Sequence, residues 1–124
     1  MSKKNKARID KIKTIVKVAL KLLKGAQLEL SLAKVSAWTF ESREPQGIRR
    51  RFVFKDFKVA FSFMTRVALH SEEQAHHPEW NNVYNIVDIR LSTHDVGGIS
   101  DKDIKLAQLV DESANDFLKQ EHLK

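Results

Sequence analysis

The sequence predicts one α+β domain: a four-stranded antiparallel sheet with helices packed on one face, ordered α-β-β-α-β-β-α in two layers. Three observations predict it. Two stretches, 38–55 and 79–93, alternate apolar and polar residues with the period of strands. Two others, 57–74 and 104–117, repeat apolar residues at helical spacing. The chain has 124 residues, enough for one core but not two.

Taken in order, residues 1–8 are polar and expected to be disordered. From Ile9 to Leu23 the apolar positions Ile12, Ile15, Val16, Ala19, Leu20 and Leu23 suit a helix with a lysine face, stopped by Gly25. Residues 26–37 fit either a short helix or a strand. Trp38 and Phe40 alternate with Thr39 and Glu41 as an edge strand, and Glu44-Pro45-Gln46-Gly47 is a turn. Ile48, Arg50, Phe52 and Phe54 then mark a hairpin partner. Asp56 is placed to cap a helix running to about Gln74, with Phe57, Ala60, Phe61, Met64, Val67 and Ala68 as its core stripe. Proline biases the residue before it toward extended backbone, so His76-His77-Pro78 predicts a helix end near Ala75. Strands are expected over Glu79–Val83 and Ile86–Thr93. Ser100 and Asp103 suit a capping arrangement for a last helix that buries Ile104, Ala107, Val110, Ala114 and Phe117.

The net charge of +6 is unevenly placed. Residues 1–24 hold nine basic side chains against Asp10 alone, whereas the remaining 100 residues hold 13 basic and 15 acidic ones. The domain is thus 25–124, with 1–24 a basic, partly helical extension. The extension suits an organelle-targeting segment, a membrane-surface or partner-binding helix, or a helix packed on its own domain. The nearly neutral domain argues against direct nucleic-acid binding. With no cysteine there is no disulfide, thiol nucleophile or thiolate metal site. No apolar run approaches the roughly 18–20 residues of a transmembrane segment.

The densest chemistry is in residues 72–103, which carry three of the five histidines: His76, His77 and His94. Imidazole, with an ordinary pKa of about 6.5, transfers protons near neutrality. Glu72 is followed by three residues, His76-His77-Pro78, five residues, Tyr84, nine residues, His94, eight residues and Asp103. This spacing resembles the signature of the pterin-4a-carbinolamine dehydratases, the 4a-hydroxytetrahydrobiopterin dehydratases. So do the blocks Phe54-Lys55-Asp56-Phe57, Phe63-Met64-Thr65-Arg66-Val67-Ala68-Leu69, Leu91-Ser92-Thr93-His94-Asp95 and Gly98-Ile99-Ser100. The likeness runs from about Trp38 to about Glu112, and Ala75 departs from the polar residue often found before the histidine pair.

The resemblance implies the same fold and a hydro-lyase that dehydrates 4a-hydroxytetrahydrobiopterin to quinonoid dihydropterin in tetrahydrobiopterin recycling, with no cofactor. It implies His76 and His94 as proton-transfer groups, His77 as a pterin-orienting residue that also helps move protons, and Glu72 as the residue that orients the histidine pair. Ser92, Thr93 and Trp80 are candidate substrate contacts; Trp80 equally suits the core. Asp103 suits capping as well as catalysis, and Tyr84 suits structure. A three-histidine zinc site is the rival chemistry, but adjacent histidines do not converge readily on one ion, and the resemblance implies no metal. It also implies a homodimer or homotetramer and a cytoplasmic or nuclear location; a sheet with helices on one face leaves the other needing cover, for which Phe40 and Ile86 are candidates. Some family members serve as dimerisation cofactors of a homeodomain transcription factor, so a non-enzymatic coactivator role with a protein partner is the alternative function.

Overall fold

The computed structural model describes residues 20–122, with side chains described through Leu118. The helix expected over 9–23 lies outside the described residues except for its last positions, and 20–24 are non-helical. Helix α1 (Gly25–Ala33) resolves the ambiguity of 26–37, and Gly25 opens it rather than closing a helix before it. Strands β1 (Thr39–Glu41) and β2 (Gly47–Val53) form the first hairpin. Helix α2 (Phe57–Glu73) leads to β3 (Glu79–Val83), β4 (Ile86–Leu91), a 3₁₀ turn at His94–Val96, and helix α3 (Asp101–His122). The sheet is antiparallel throughout, in the order β1-β2-β4-β3.

Register decides which side chains meet the helices. Ile48 stands opposite Leu91, Arg50 opposite Ile89, and Phe52 opposite Val87. Ile48, Phe52, Val87, Ile89 and Leu91 are buried with Ala60, Phe63 and Val67 of α2 and Ile104, Ala107, Val110 and Ala114 of α3. Arg50 shares this face because Asp111 of α3 accepts from it at 2.6 Å, and its guanidinium lies 4.5 Å from the Phe52 ring. The same carboxylate accepts the Trp38 indole N–H at 2.9 Å.

The core stripe of α2 is Ala60, Phe63, Val67 and Ser71. Phe57 and Phe61, expected in the core, are exposed and pack on each other at 5.6 Å. Phe63 displaces them because it fills the space among Phe52, Phe54 and Phe117. The expected capping holds: the Asp56 side chain accepts from the Val59 N–H at 2.9 Å.

The opposite sheet face is polar. Glu41, Arg49, Arg51, Asp88, Arg90 and Glu79 cross it, linked by Arg49–Glu41, Arg51–Asp88 and Arg90–Glu41 pairs. Arg90 is buried by Glu41 and by the carbonyl of Pro45. Phe40 stands opposite Ile48 and so lies on the helix side, not on this free face. Ile86 does lie here, in a row with Val53 and Val83, which are exposed. The free face is therefore a charged lattice with one apolar end. Among the described residues, no helix is long and apolar enough to cross a membrane.

Candidate active site

The end of α2 aims the histidine pair. The N–H of Ala75 donates to the Glu72 carbonyl at 3.1 Å, and that of His76 to the Ser71 carbonyl at 2.9 Å. This is a Schellman closure, whose turning residue adopts left-handed backbone. That residue is Ala75, at φ 49. The helix thus ends by its own C-terminal bonding two residues before Pro78 can act, and the reversal turns His76 inward and leaves His77 outside.

At the other wall, β4 pairing stops at Leu91 rather than continuing to Thr93. Ser92 and Thr93 leave the ladder, and Thr93 bridges back to Gly98 around the His94–Val96 turn. This loop and the end of α2 enclose a cleft of about 240 Å³ lined by Ala75, His76, His77, Ser92, Thr93, His94, Asp95 and Lys102. All three signature histidines meet there.

Each polar group has a distinct assignment. The Nε2 of His76 lies 2.6 Å from Oδ1 of Asp103, and both residues are buried, Asp103 at 0% exposure. Oδ2 of Asp103 accepts from the Thr93 hydroxyl at 2.7 Å and from the Ser100 N–H at 3.0 Å. Capping and contact with His76, which sequence offers as alternatives for Asp103, are thus done by two oxygens of one carboxylate. His77 lies at the surface, its Nε2 2.6 Å from Oε1 of Glu72. His94 is exposed, and its side chain has no hydrogen-bond partner among the described residues. Its ring is held only through the backbone of its turn, where the Gly97 N–H donates to the His94 carbonyl at 3.1 Å.

The two hydroxyls expected to meet a substrate point elsewhere. Ser92 donates to the Gln46 carbonyl at 2.7 Å, tying the β1–β2 loop to the cleft wall. The Thr93 hydroxyl is buried on Asp103. Both residues line the cleft, but with other atoms. Trp80 stands on β3 opposite Ile89, packed against the core, and does not line the cleft. Tyr84 is exposed in the β3–β4 turn at φ 51, also away from it. Sequence reasoning missed Asp95 and Lys102 as cleft residues; their adjacency to His94 and Asp103 was the available signal. Nε2 of His76 is given to Asp103 and that of His77 to Glu72, and among the described residues no group of three or more His, Cys, Asp or Glu side chains is placed to hold a metal ion.

Electrostatics on the sheet side support the loop that Ser92 grips. Hydrogen bonding from Arg90 above all, and then from Arg49, holds the Glu41 carboxyl below the usual carboxylate range, against the opposing effect of its burial. Asp88 hydrogen-bonded to Arg51 raises the guanidinium's affinity for its proton.

Comparison with known proteins adds to this geometry. A protein of Prochlorococcus marinus (strain MIT 9303) named as a pterin-4-alpha-carbinolamine dehydratase is 49% identical over 89 residues, covering 72% of this chain and 90% of that one. The crystal structure of a transcriptional coactivator/pterin dehydratase from Brucella melitensis superposes with a TM-score of 0.70 at 39% identity, over 74% of this chain and 97% of that one. A pterin dehydratase-like protein identified as a RuBisCO assembly factor in the alpha-carboxysome matches with a TM-score of 0.55 at 26% identity, over 63% and 89%. The family model for pterin 4 alpha carbinolamine dehydratase matches residues 21–113, so that the chain, with its histidines gathered in one cleft, belongs to the pterin-4a-carbinolamine dehydratase family.

Proposed function

We propose that the cleft dehydrates 4a-hydroxytetrahydrobiopterin, or a close pterin-4a-carbinolamine, to the quinonoid dihydropterin and water. Family membership makes the protein a hydro-lyase; the reading of its residues is as follows. In the substrate, C4a carries a hydroxyl and the neighbouring N5 carries a hydrogen. The N5 lone pair forms the C4a=N5 double bond as the C4a–O bond breaks. The hydroxyl takes a proton and leaves as water, and the N5 proton goes to a base, so atoms and charge balance. Each placed acid or base contributes typically about 10²–10⁴-fold.

His76 and His94 fit the two proton transfers. The Nε2 of His76 is committed to Asp103, so its Nδ1 is the nitrogen left for exchange. His94, free of protein partners among the described residues, is open to a substrate hydroxyl. His77 and Glu72 form a pair at the mouth, suited to orienting the heterocycle. The single observation that carries the reading is the convergence of His76, His77 and His94 on one cleft with a buried carboxylate behind it.

The test is the dehydration rate of a chemically generated 4a-carbinolamine, with and without a chelator. Turnover is expected in both. His76→Ala and His94→Ala should each lower kcat by about 10²-fold or more, non-additively when combined, while His77→Ala should mainly raise KM. His70→Ala is expected to be nearly silent, since His70 lies on α2 outside the cleft, 3.8 Å from Glu73. Loss of activity on chelation, or a His70 effect as large as that of His94, would defeat the assignment. We also propose a homodimer or homotetramer, supported by the apolar Val53–Ile86–Val83 end of the free face; sedimentation as a monomer at micromolar concentration would count against it.

A further inference from the structure

Behind the cleft lies a run of hydrogen bonds whose direction is fixed by counting protons. Thr93 has one hydroxyl proton, and it goes to Oδ2 of Asp103 at 2.7 Å. The Ser100 hydroxyl lies 2.6 Å from the Thr93 hydroxyl oxygen. Thr93 has no second proton to give, so Ser100 donates to it. The Ser100 oxygen in turn accepts the Lys102 N–H at 3.2 Å. Every link therefore points the same way: Lys102 N–H to Ser100, Ser100 to Thr93, Thr93 to Asp103. All the side chains in it are buried, and among the described residues no buried side-chain polar atom lacks a partner.

The run ends on a carboxylate that also accepts the Ser100 N–H at 3.0 Å. A carboxylate is an acceptor-only group. Its other oxygen can then only accept from Nε2 of His76, 2.6 Å away. The imidazole is thereby fixed with its proton on Nε2 and its lone pair on Nδ1. Hydrogen bonds in series polarise one another, so Ser100 makes Thr93 the stronger donor, and donors to a carboxylate favour its charged, acceptor-only form, which leaves the proton on Nε2.

We propose that Ser100 is a positioning residue that sets the tautomer of His76 through Thr93 and Asp103. It touches neither the histidine nor the cleft. Its importance to the reaction rests on the dehydratase reading above; its effect on the tautomer does not. The same residue anchors the start of α3, because its hydroxyl meets the Lys102 N–H and its own N–H meets Asp103, so one side chain joins a helix cap to a proton-transfer group.

The test uses the full chain and three variants: Ser100→Ala, Ser100→Gly and Ser100→Thr. Glycine is tolerated at a helix start almost as well as serine, so Ser100→Gly removes the hydroxyl while sparing the cap. Nitrogen-15 correlation spectra of the neutral imidazoles read the tautomer of His76 directly. The wild type is expected to carry its proton on Nε2, and Ser100→Ala and Ser100→Gly to show a mixture. Both should lose about tenfold in kcat, the weight of one hydrogen bond in the transition state, with KM little changed. Ser100→Thr should restore both readouts. The proposal is overturned if wild-type His76 is protonated on Nδ1, if Ser100→Gly leaves the tautomer unchanged, or if Ser100→Thr is as impaired as Ser100→Ala. A wild type with the Nε2 proton in place but no dehydration would sink the dehydratase reading and uphold the hydrogen-bond run.

Discussion

Replacing Asp103 by asparagine changes one atom and reverses one hydrogen bond. The carboxylate now accepts three donors: His76 Nε2–H, the Thr93 hydroxyl and the Ser100 N–H. Asparagine offers one carbonyl oxygen and one NH₂ group. The oxygen must face Thr93 and Ser100, where two donors wait, which turns the NH₂ toward His76. Imidazole can meet that donor only by moving its proton to Nδ1, the nitrogen left for exchange with the cleft. A charge-assisted bond contributes about 1.5–3 kcal/mol and a neutral one about 0.5–1.5. The substitution should therefore cost about 1–3 kcal/mol, or a fall in Tm of roughly 4–12 °C at about 4 °C per kcal/mol for a domain of this size. Asp103 is 0% exposed, so it cannot touch a substrate, and KM should hardly move. The rate should fall by about 10²–10⁴-fold, the weight of a misprotonated acid–base group. Asp103→Ala should be less stable still, since it leaves three buried donors without an acceptor, each costing about 1–3 kcal/mol. Steady-state kinetics and thermal melts on both variants make the test. A folded Asp103→Asn protein with kcat near that of the wild type would refute the reasoning.

Three further outcomes are expected. Ala75→Gly should raise stability by about 0.5–1 kcal/mol, because an alanine at φ 49 carries a left-handed penalty that glycine lacks; a lower Tm would contradict the Schellman account. Removing residues 1–19 should leave turnover unchanged, whereas removing 1–24 also deletes Leu23, which is 8% exposed and bonded through its N–H to the Ile99 carbonyl at 2.8 Å, a loss of about 2–3 kcal/mol visible in melts; equal stability of the two truncations would refute it. Because Glu41 has a depressed pKa, its contribution is present above its unfolded value of about 4.3 and is lost as pH falls through the lower folded one. Glu41→Gln should therefore be less stable than the wild type at neutral pH, with the gap closing in acid, as urea melts at the two pH values will show.

The sheet was legible because alternation along β2 and β4 leaves little choice of facing. The face of α2 was not: Phe57, Val59, Ala60, Phe61, Phe63, Met64, Val67 and Leu69 supply apolar residues on more than one side, and only the aromatic neighbours of Phe63 select the stripe. At the site, the spacing of the histidines could be read, but the direction of two hydroxyls could not. Ser92 turns to Gln46 and Thr93 to Asp103 and Ser100, partners that come together only in the folded chain. Nor does anything in an alanine announce left-handed backbone. The boundary expected at residue 24 cuts through a packed segment, since Leu23 belongs to the core.

The clasp on Asp111 makes the protein its own reporter. One of the two tryptophans, Trp38, is buried with its indole N–H on the α3 carboxylate that also holds Arg50. The other, Trp80, is half-buried on β3 at the sheet's opposite edge. Peeling α3 from the sheet would strip Trp38 of its partner and expose it to water while leaving the environment of Trp80 largely intact. Fluorescence from variants that retain a single tryptophan could thus time the docking of the helix that carries Asp103 separately from closure of the hairpin at the far edge.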